Sequence, residues 1–163
     1  MKTPNPIIFL DIDGVLIPIY FEKALIQLSK LTNNSLKSKD EYGTYFHPDI
    51  MNNIKTIVEK YGADIVIIST WKNDMSLSLL QEMWQTRGYS GKIVGITPNL
   101  NNPNKRGLEI KAYLKENSYI TNYVIIDDMG ESFFEKEQLN HLVVCNPNYG
   151  FTSDDLDDVF SIL

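Results

Sequence analysis

Four groups of residues in this 163-residue chain carry side chains suited to chemistry: Asp11-Ile12-Asp13-Gly14, Ser69-Thr70-Trp71-Lys72, Lys105-Arg106 and Asp127-Asp128. Asp11 and Asp13 lie two apart, so in extended backbone both point to one side. Carboxylates held that close repel, and one takes up a proton unless a cation sits between them. Magnesium meets that need, because it takes oxygen ligands and is bound by one or two carboxylates together with substrate phosphate. Gly14 permits a sharp turn, or a close approach of backbone N–H groups to an anion. Hydroxyls such as Ser69 can donate to a phosphoryl oxygen, and Lys105 or Arg106 can hold an anion. Together these parts suit phosphoryl transfer through a covalent aspartyl-phosphate. One carboxylate attacks phosphorus, and a second acid protonates the leaving oxygen and later activates water. Hydroxyl, cation and magnesium offset the charge on the transferring group. Taken alone, Asp-x-Asp-Gly also describes an ordinary turn after a strand. A calcium loop is excluded, since its third acid would fall on Val15 and its glycine on Leu16.

The elements that must position these groups follow from the apolar pattern. Ile7-Ile8-Phe9-Leu10 runs straight into Asp11, as a strand buried on both faces does. Asp64-Ile65-Val66-Ile67-Ile68 runs into Ser69, and Tyr123-Val124-Ile125-Ile126 runs into Asp127. Lys92 to Ile96 and His141 to Cys145 complete five strands. Helices are predicted between them: Tyr20 to Leu31, a stretch opened by His47-Pro48-Asp49 and stopped at Gly62, one carrying Leu77, Leu80, Met83 and Trp84, and one carrying Leu108, Ile110, Tyr113 and Leu114. Met129 to Gln138 reads as helical, and a last helix is capped by Thr152 or Ser153. His47 reads as a helix-opening residue, with no Cys or second His at metal spacing. Lys105 and Arg106 sit at a helix start, where cations oppose the macrodipole, so the placement implies a task such as holding an anion. The polar stretch Thr32 to Tyr45 reads either as a solvated connector or, with the residues before it, as a small flap over 17–46. Alternating strands and helices imply an α/β three-layer Rossmann-like fold, with a five-stranded parallel sheet covered on both faces and little or no cap. Groups that follow strands gather along one edge of such a sheet, where ligands bind.

Composition narrows the partners. Hydrophobic residues make up 43%, the net charge is -6 and the sequence pI is about 4.9. That balance argues against a broad nucleic-acid-binding face but leaves room for a small phosphate pocket. Cys145, the single cysteine, has no disulfide partner and sits in an apolar run, as a buried thiol does. No secretory leader and no membrane-length apolar run is visible. The expectation is one soluble, cytoplasmic domain over 1–163, with no obligate protein partner.

The four groups, in this order, resemble the motifs of the haloacid dehalogenase (HAD) superfamily of phosphatases, over nearly the whole chain. The resemblance implies Asp11 as nucleophile, Asp13 as general acid/base, and Ser69 and the cation as phosphate ligands. It also implies magnesium held by Asp11, the Asp13 backbone carbonyl, and Asp127 or Asp128. An acid at position 13 points to phosphate esters rather than halides. Leu10 to Leu16, Ser69-Thr70-Trp71-Lys72, Arg106-Gly107-Leu108-Glu109-Ile110, Ile126-Asp127-Asp128 and Tyr149-Gly150-Phe151-Thr152 are similar to the cap-less branch associated with Swiss Army Knife RNA repair proteins. That branch usually carries Arg where Lys72 stands, and Arg in the third motif, which favours Arg106 over Lys105. The implied substrates are phosphate monoesters, from small molecules to polynucleotide ends. Two other classes share some of these residues: a receiver-like signalling domain and a non-catalytic phosphate-binding domain. A receiver carries its acidic pair after the first strand and its phosphorylated Asp after the third, the reverse of the order here.

Overall fold

In the computed structural model, which describes residues 4–100 and 106–163, β1 (Ile7–Leu10) is the central strand. It is followed by α1 (Ile19–Leu31) and an antiparallel hairpin of β2 (Lys39–Asp40) and β3 (Gly43–Thr44). The chain continues through α2 (Pro48–Tyr61), β4 (Asp64–Ile67), α3 (Leu77–Thr86), β5 (Ile93–Ile96), α4 (Arg106–Glu116), β6 (Tyr123–Asp127), β7 (Leu142–Val144) and α5 (Ser153–Ile162). The larger sheet has the order β5-β4-β1-β6-β7, and every pairing in it is parallel. This is the five-stranded parallel sheet expected from the alternating pattern.

Successive residues of β1 face opposite layers. Ile8 and Leu10 pack in one core with Ile54 and Ile57 of α2, Leu80, Met83 and Trp84 of α3, and Val159 of α5. Ile7 and Phe9 pack in a second core with Ile110 of α4 and Phe134. Helices therefore cover both faces. Because β1, β4 and β6 are buried on both sides, polar groups are tolerated only beyond their ends, and that is where the chemistry-bearing residues begin.

Three expectations change in detail. Thr32 to Tyr45 is neither a connector nor a bare loop: it holds a short 3-10 turn, Ser35–Lys37, and the β2–β3 hairpin. The hairpin is held from outside itself. Arg87, at the end of α3, donates from Nε and Nη2 to the Asp40 carboxylate at 2.9 and 2.7 Å, and from Nη2 to the Gly43 carbonyl at 3.0 Å. The helix over Met129 to Gln138 is instead two 3-10 turns, Glu131–Phe133 and Lys136–His141, the second taking in His141 and leaving β7 to start at Leu142. The helix at Tyr20 to Leu31 forms, but no residue of α1 is buried. His47 caps α2, its Nδ1 accepting from the Asp49 N–H, and Cys145 is buried. Among the described residues, no helix is long and apolar enough to cross a membrane.

Candidate active site

Topology brings the groups together. Leu10 is in register with Ile67 of β4 and Ile126 of β6. Residues just beyond these positions therefore share one edge of the sheet: Asp11 in the middle, Ser69 on one side, Asp127 and Asp128 on the other. β1 lies where chain connections diverge to the two halves of the sheet, the place where open α/β sheets form their ligand crevice.

After Leu10 the backbone winds into one tight turn. The N–H groups of Val15, Leu16 and Ile17 all donate to the Ile12 carbonyl, and Gly14 N–H donates to the Ile17 carbonyl at 3.0 Å. Gly14 has φ +76°, a conformation that favours glycine. Space enforces the same choice, because a Cβ there would strike the Asp128 carboxylate. The role of Gly14 is thus to let Asp128 lie against the turn. Its own N–H donates within the turn, as the turn alternative expects.

Asp11 is 3% exposed and Asp127 fully buried. One carboxylate oxygen each from Asp11, Asp127 and Asp128 lie within 4.8 Å of one another. Arg106, buried at the start of α4, places Nη1 3.0 Å from Asp11 Oδ1 and 3.2 Å from Asp127 Oδ2. These are ion-pair distances, but both Arg106 Nη1 and Asp127 Oδ2 lack an aligned hydrogen-bond partner among the described residues. Asp127 Oδ1 is satisfied by the Met129 N–H at 2.9 Å. Burial, followed by repulsion from Asp11, raises the Asp127 carboxyl to about 8. The same two causes raise Asp128. Burial opposes the charge on Arg106, yet Asp11 and Asp127 hold its pKa above the usual value.

A divalent cation fits this arrangement. The site supplies hard oxygen ligands, one of them an orphaned buried carboxylate oxygen, and carboxyl groups whose raised pKa values signal uncompensated negative charge. Asp11, Asp127 and Asp128 are the side chains that would hold it.

The remaining predicted residues fall into distinct places. Ser69 is buried and caps a 3-10 turn, Thr70–Asn73, by accepting from the Trp71 N–H. Thr70 is exposed at the start of that turn. Asp13 is exposed, and both of its carboxylate oxygens accept from the Trp71 indole N–H, at 3.2 and 3.1 Å. Burial of its carboxyl, then Asp11, raise the Asp13 pKa, while the indole N–H opposes them. Lys72 points its ammonium at protein acceptors: Glu109 Oε2 at 2.5 Å, Thr97 Oγ1 at 2.9 Å and the Pro98 carbonyl at 3.3 Å. These acceptors hold the ammonium beside α4. Lys105 lies outside the described residues. Glu109, Arg87 and the pairing of Trp71 with Asp13 were missed in the sequence. Glu109 follows Arg106 by three residues on α4, and a buried acid one turn after a buried cation was the available signal.

The family description that matches the chain is the HAD domain in Swiss Army Knife RNA repair proteins, over residues 7–156. That span takes in all four motifs. No curated protein and no solved structure matches.

Proposed function

The chain belongs to the family of HAD domains found in Swiss Army Knife RNA repair proteins, and from that premise we propose that it is a magnesium-dependent hydrolase of phosphate monoesters. The observation that carries the proposal is the meeting of Asp11, Asp127 and Asp128 within 4.8 Å, with Arg106 against two of them. In this reading a carboxylate oxygen of Asp11 attacks phosphorus. As the new O–P bond forms, the bond from phosphorus to the leaving oxygen breaks, and the proton of the Asp13 carboxyl passes to that oxygen. Water then attacks the aspartyl-phosphate, Asp13 takes its proton, and phosphate leaves with the Asp11 carboxylate restored. Magnesium, when held by Asp11, Asp127, Asp128 and the Asp13 backbone carbonyl, supplies positive charge beside the transferring oxygens. Ser69 and Thr70 offer hydroxyl donors to those oxygens, and Arg106 orients Asp11. Lys105, next to Arg106 in sequence, is the second cation of that motif. Lys72 is held by Glu109 beside the same motif as Ser69, and residues 1–163 are read as one domain.

We place phosphorylated nucleic-acid ends first among the substrates, because RNA repair is what the family description names. The net charge of -6 favours reading one terminal phosphate over gripping a long backbone. Family membership stands in place of the receiver reading. The test is phosphate release from phosphosugars, nucleotides, phosphopeptides and RNA or DNA ends phosphorylated at 5′ or 3′, with and without magnesium. Turnover is expected to require magnesium and to fall roughly 10⁴-fold or more in Asp11→Asn. Undiminished turnover in that variant overturns the covalent mechanism. Phosphate binding without turnover on any substrate makes the domain a binding module instead.

A further inference from the structure

We infer that Trp71 is a positioning residue for Asp13, and that the β2–β3 hairpin braces Trp71 in that role. The inference rests on the reading of Asp13 as the acid that protonates the leaving oxygen.

Three contacts build it. First, the indole N–H is shared between both Asp13 oxygens at 3.2 and 3.1 Å, across 58 positions of sequence. A side chain bonded symmetrically through both oxygens has its terminal torsion fixed, a torsion that is otherwise broad for Asp. An indole N–H suits the task chemically, because it donates only and carries no proton that the reaction can take. It holds the carboxyl group without competing for the transferred proton. Among the described residues, this is the side-chain hydrogen bond that holds the Asp13 carboxyl group, while the turn at Ile12–Ile17 holds its backbone.

Second, the indole is itself held. Its backbone N–H bonds Ser69 Oγ at 3.3 Å, and its ring meets Phe46 at 5.7 Å between centroids. Third, the hairpin closes the last side of the ring. Gly43, with φ +118°, lies so close that a Cβ there would meet the far edge of the indole at 3.2 Å. That glycine cannot drift, because Arg87 grips its carbonyl and the Asp40 carboxylate across the turn. Arg87, the hairpin, Trp71 and Asp13 thus form one continuous chain of contacts from the end of α3 to the site.

The test compares two esters whose leaving groups differ in their need for a proton. A simple alkyl phosphate expels a poor leaving group and depends on the acid, whereas p-nitrophenyl phosphate expels a stable anion and depends on it little. Release of the alcohol or phenol is measured in the first turnover of the full chain with saturating magnesium. Trp71→Phe keeps an aromatic ring, though a smaller one, and removes the N–H. It is expected to slow the alkyl ester roughly 10- to 100-fold, with the nitrophenyl ester slowed less than about threefold and KM little changed. Asp40→Ala leaves the N–H and releases the brace, and the same split is expected at a few-fold. Equal loss on both esters in Trp71→Phe, or no loss on either, overturns the positioning role. No split in Asp40→Ala overturns the part given to the hairpin. Asp13→Asn separates the two layers of argument. If it shows the split and Trp71→Phe does not, the inference fails and the role of Asp13 stands. If Asp13→Asn shows no split, the role of Asp13 itself has failed.

Discussion

α1 and α2 are helices of similar length with similar apolar spacing, yet they have opposite fates. α2 buries Ile50, Met51, Ile54 and Ile57 against the sheet. α1 presents Phe21, Leu25, Leu28 and Leu31 at the same kind of spacing and buries none of them, with Leu31 78% exposed. The difference teaches that periodicity reports a face and not what covers it. α2 is anchored by side chains that a parallel sheet needs on its surface. The insert that carries α1 and the hairpin is fixed mainly at discrete points instead, among them Tyr20 on His47, Tyr42 on Glu82, the Arg87 clamp and the seat of Gly43 on Trp71. The sheet holds itself together by burial, and the insert is held by a few directed contacts.

The sharpest break of that contrast is a truncation in each helix. Ile54→Ala is expected to destabilise by about 2–5 kcal/mol, because the side chain is fully buried and leaves a cavity. Leu28→Ala, on α1, is expected to change stability by less than about 0.5 kcal/mol. Denaturant unfolding of both variants measures the pair, and equal costs would mean that α1 is covered after all.

Between those extremes lies Asp40→Ala. It strands a guanidinium whose side chain is 5% exposed, and should cost about 1–3 kcal/mol by the same unfolding measurement.

Gly14→Ala tests the point where the turn meets the acid cluster. A left-handed φ at a residue with a Cβ costs about 1–2 kcal/mol. The displaced Asp128 should also weaken magnesium binding, read by calorimetry against the parent protein.

The pH response is the gentlest probe. Asp127 is raised in the fold to about 8 from the ordinary Asp value of roughly 4. Across that window the folded state binds more protons than the unfolded chain. Stability without metal is therefore greatest at the acid end and falls as pH rises toward 8. A cation held by the ionised carboxylates would favour their charged form, so adding magnesium should flatten or reverse the fall. Thermal melts at pH 5 and pH 8, each with chelator and with magnesium, check the sign.

Much of the sheet and the acid cluster was legible, because both follow from continuous apolar runs that stop at carboxylates. β1, β4 and β6 declare themselves by Ile7–Leu10, Asp64–Ile67 and Tyr123–Asp127 with no long-range knowledge. The hairpin did not. Lys39–Asp40 and Gly43–Thr44 lack alternating apolar residues, and what orders them is Arg87, more than 40 positions away in sequence. The partners of Lys72 were hidden for a related reason. A cation beside a phosphate motif suggests an anion ligand, and only the fold brings Glu109 and Thr97 to it.

The placement of β1 has a consequence for how the protein is made. Of the five strands in the sheet, the one synthesised earliest is the central one, and its partners begin only at Asp64 and Tyr123. Ile7–Leu10 therefore waits, apolar and unpaired, until β4 is made, and keeps one open edge until β6 follows. Closing such distant pairings is slow, and an unpaired strand invites association with other chains. Asp11 follows this strand directly, so the acid cluster is completed only when β6 docks. A nascent chain that stops short of β6 exposes its stickiest segment and has no assembled acid cluster.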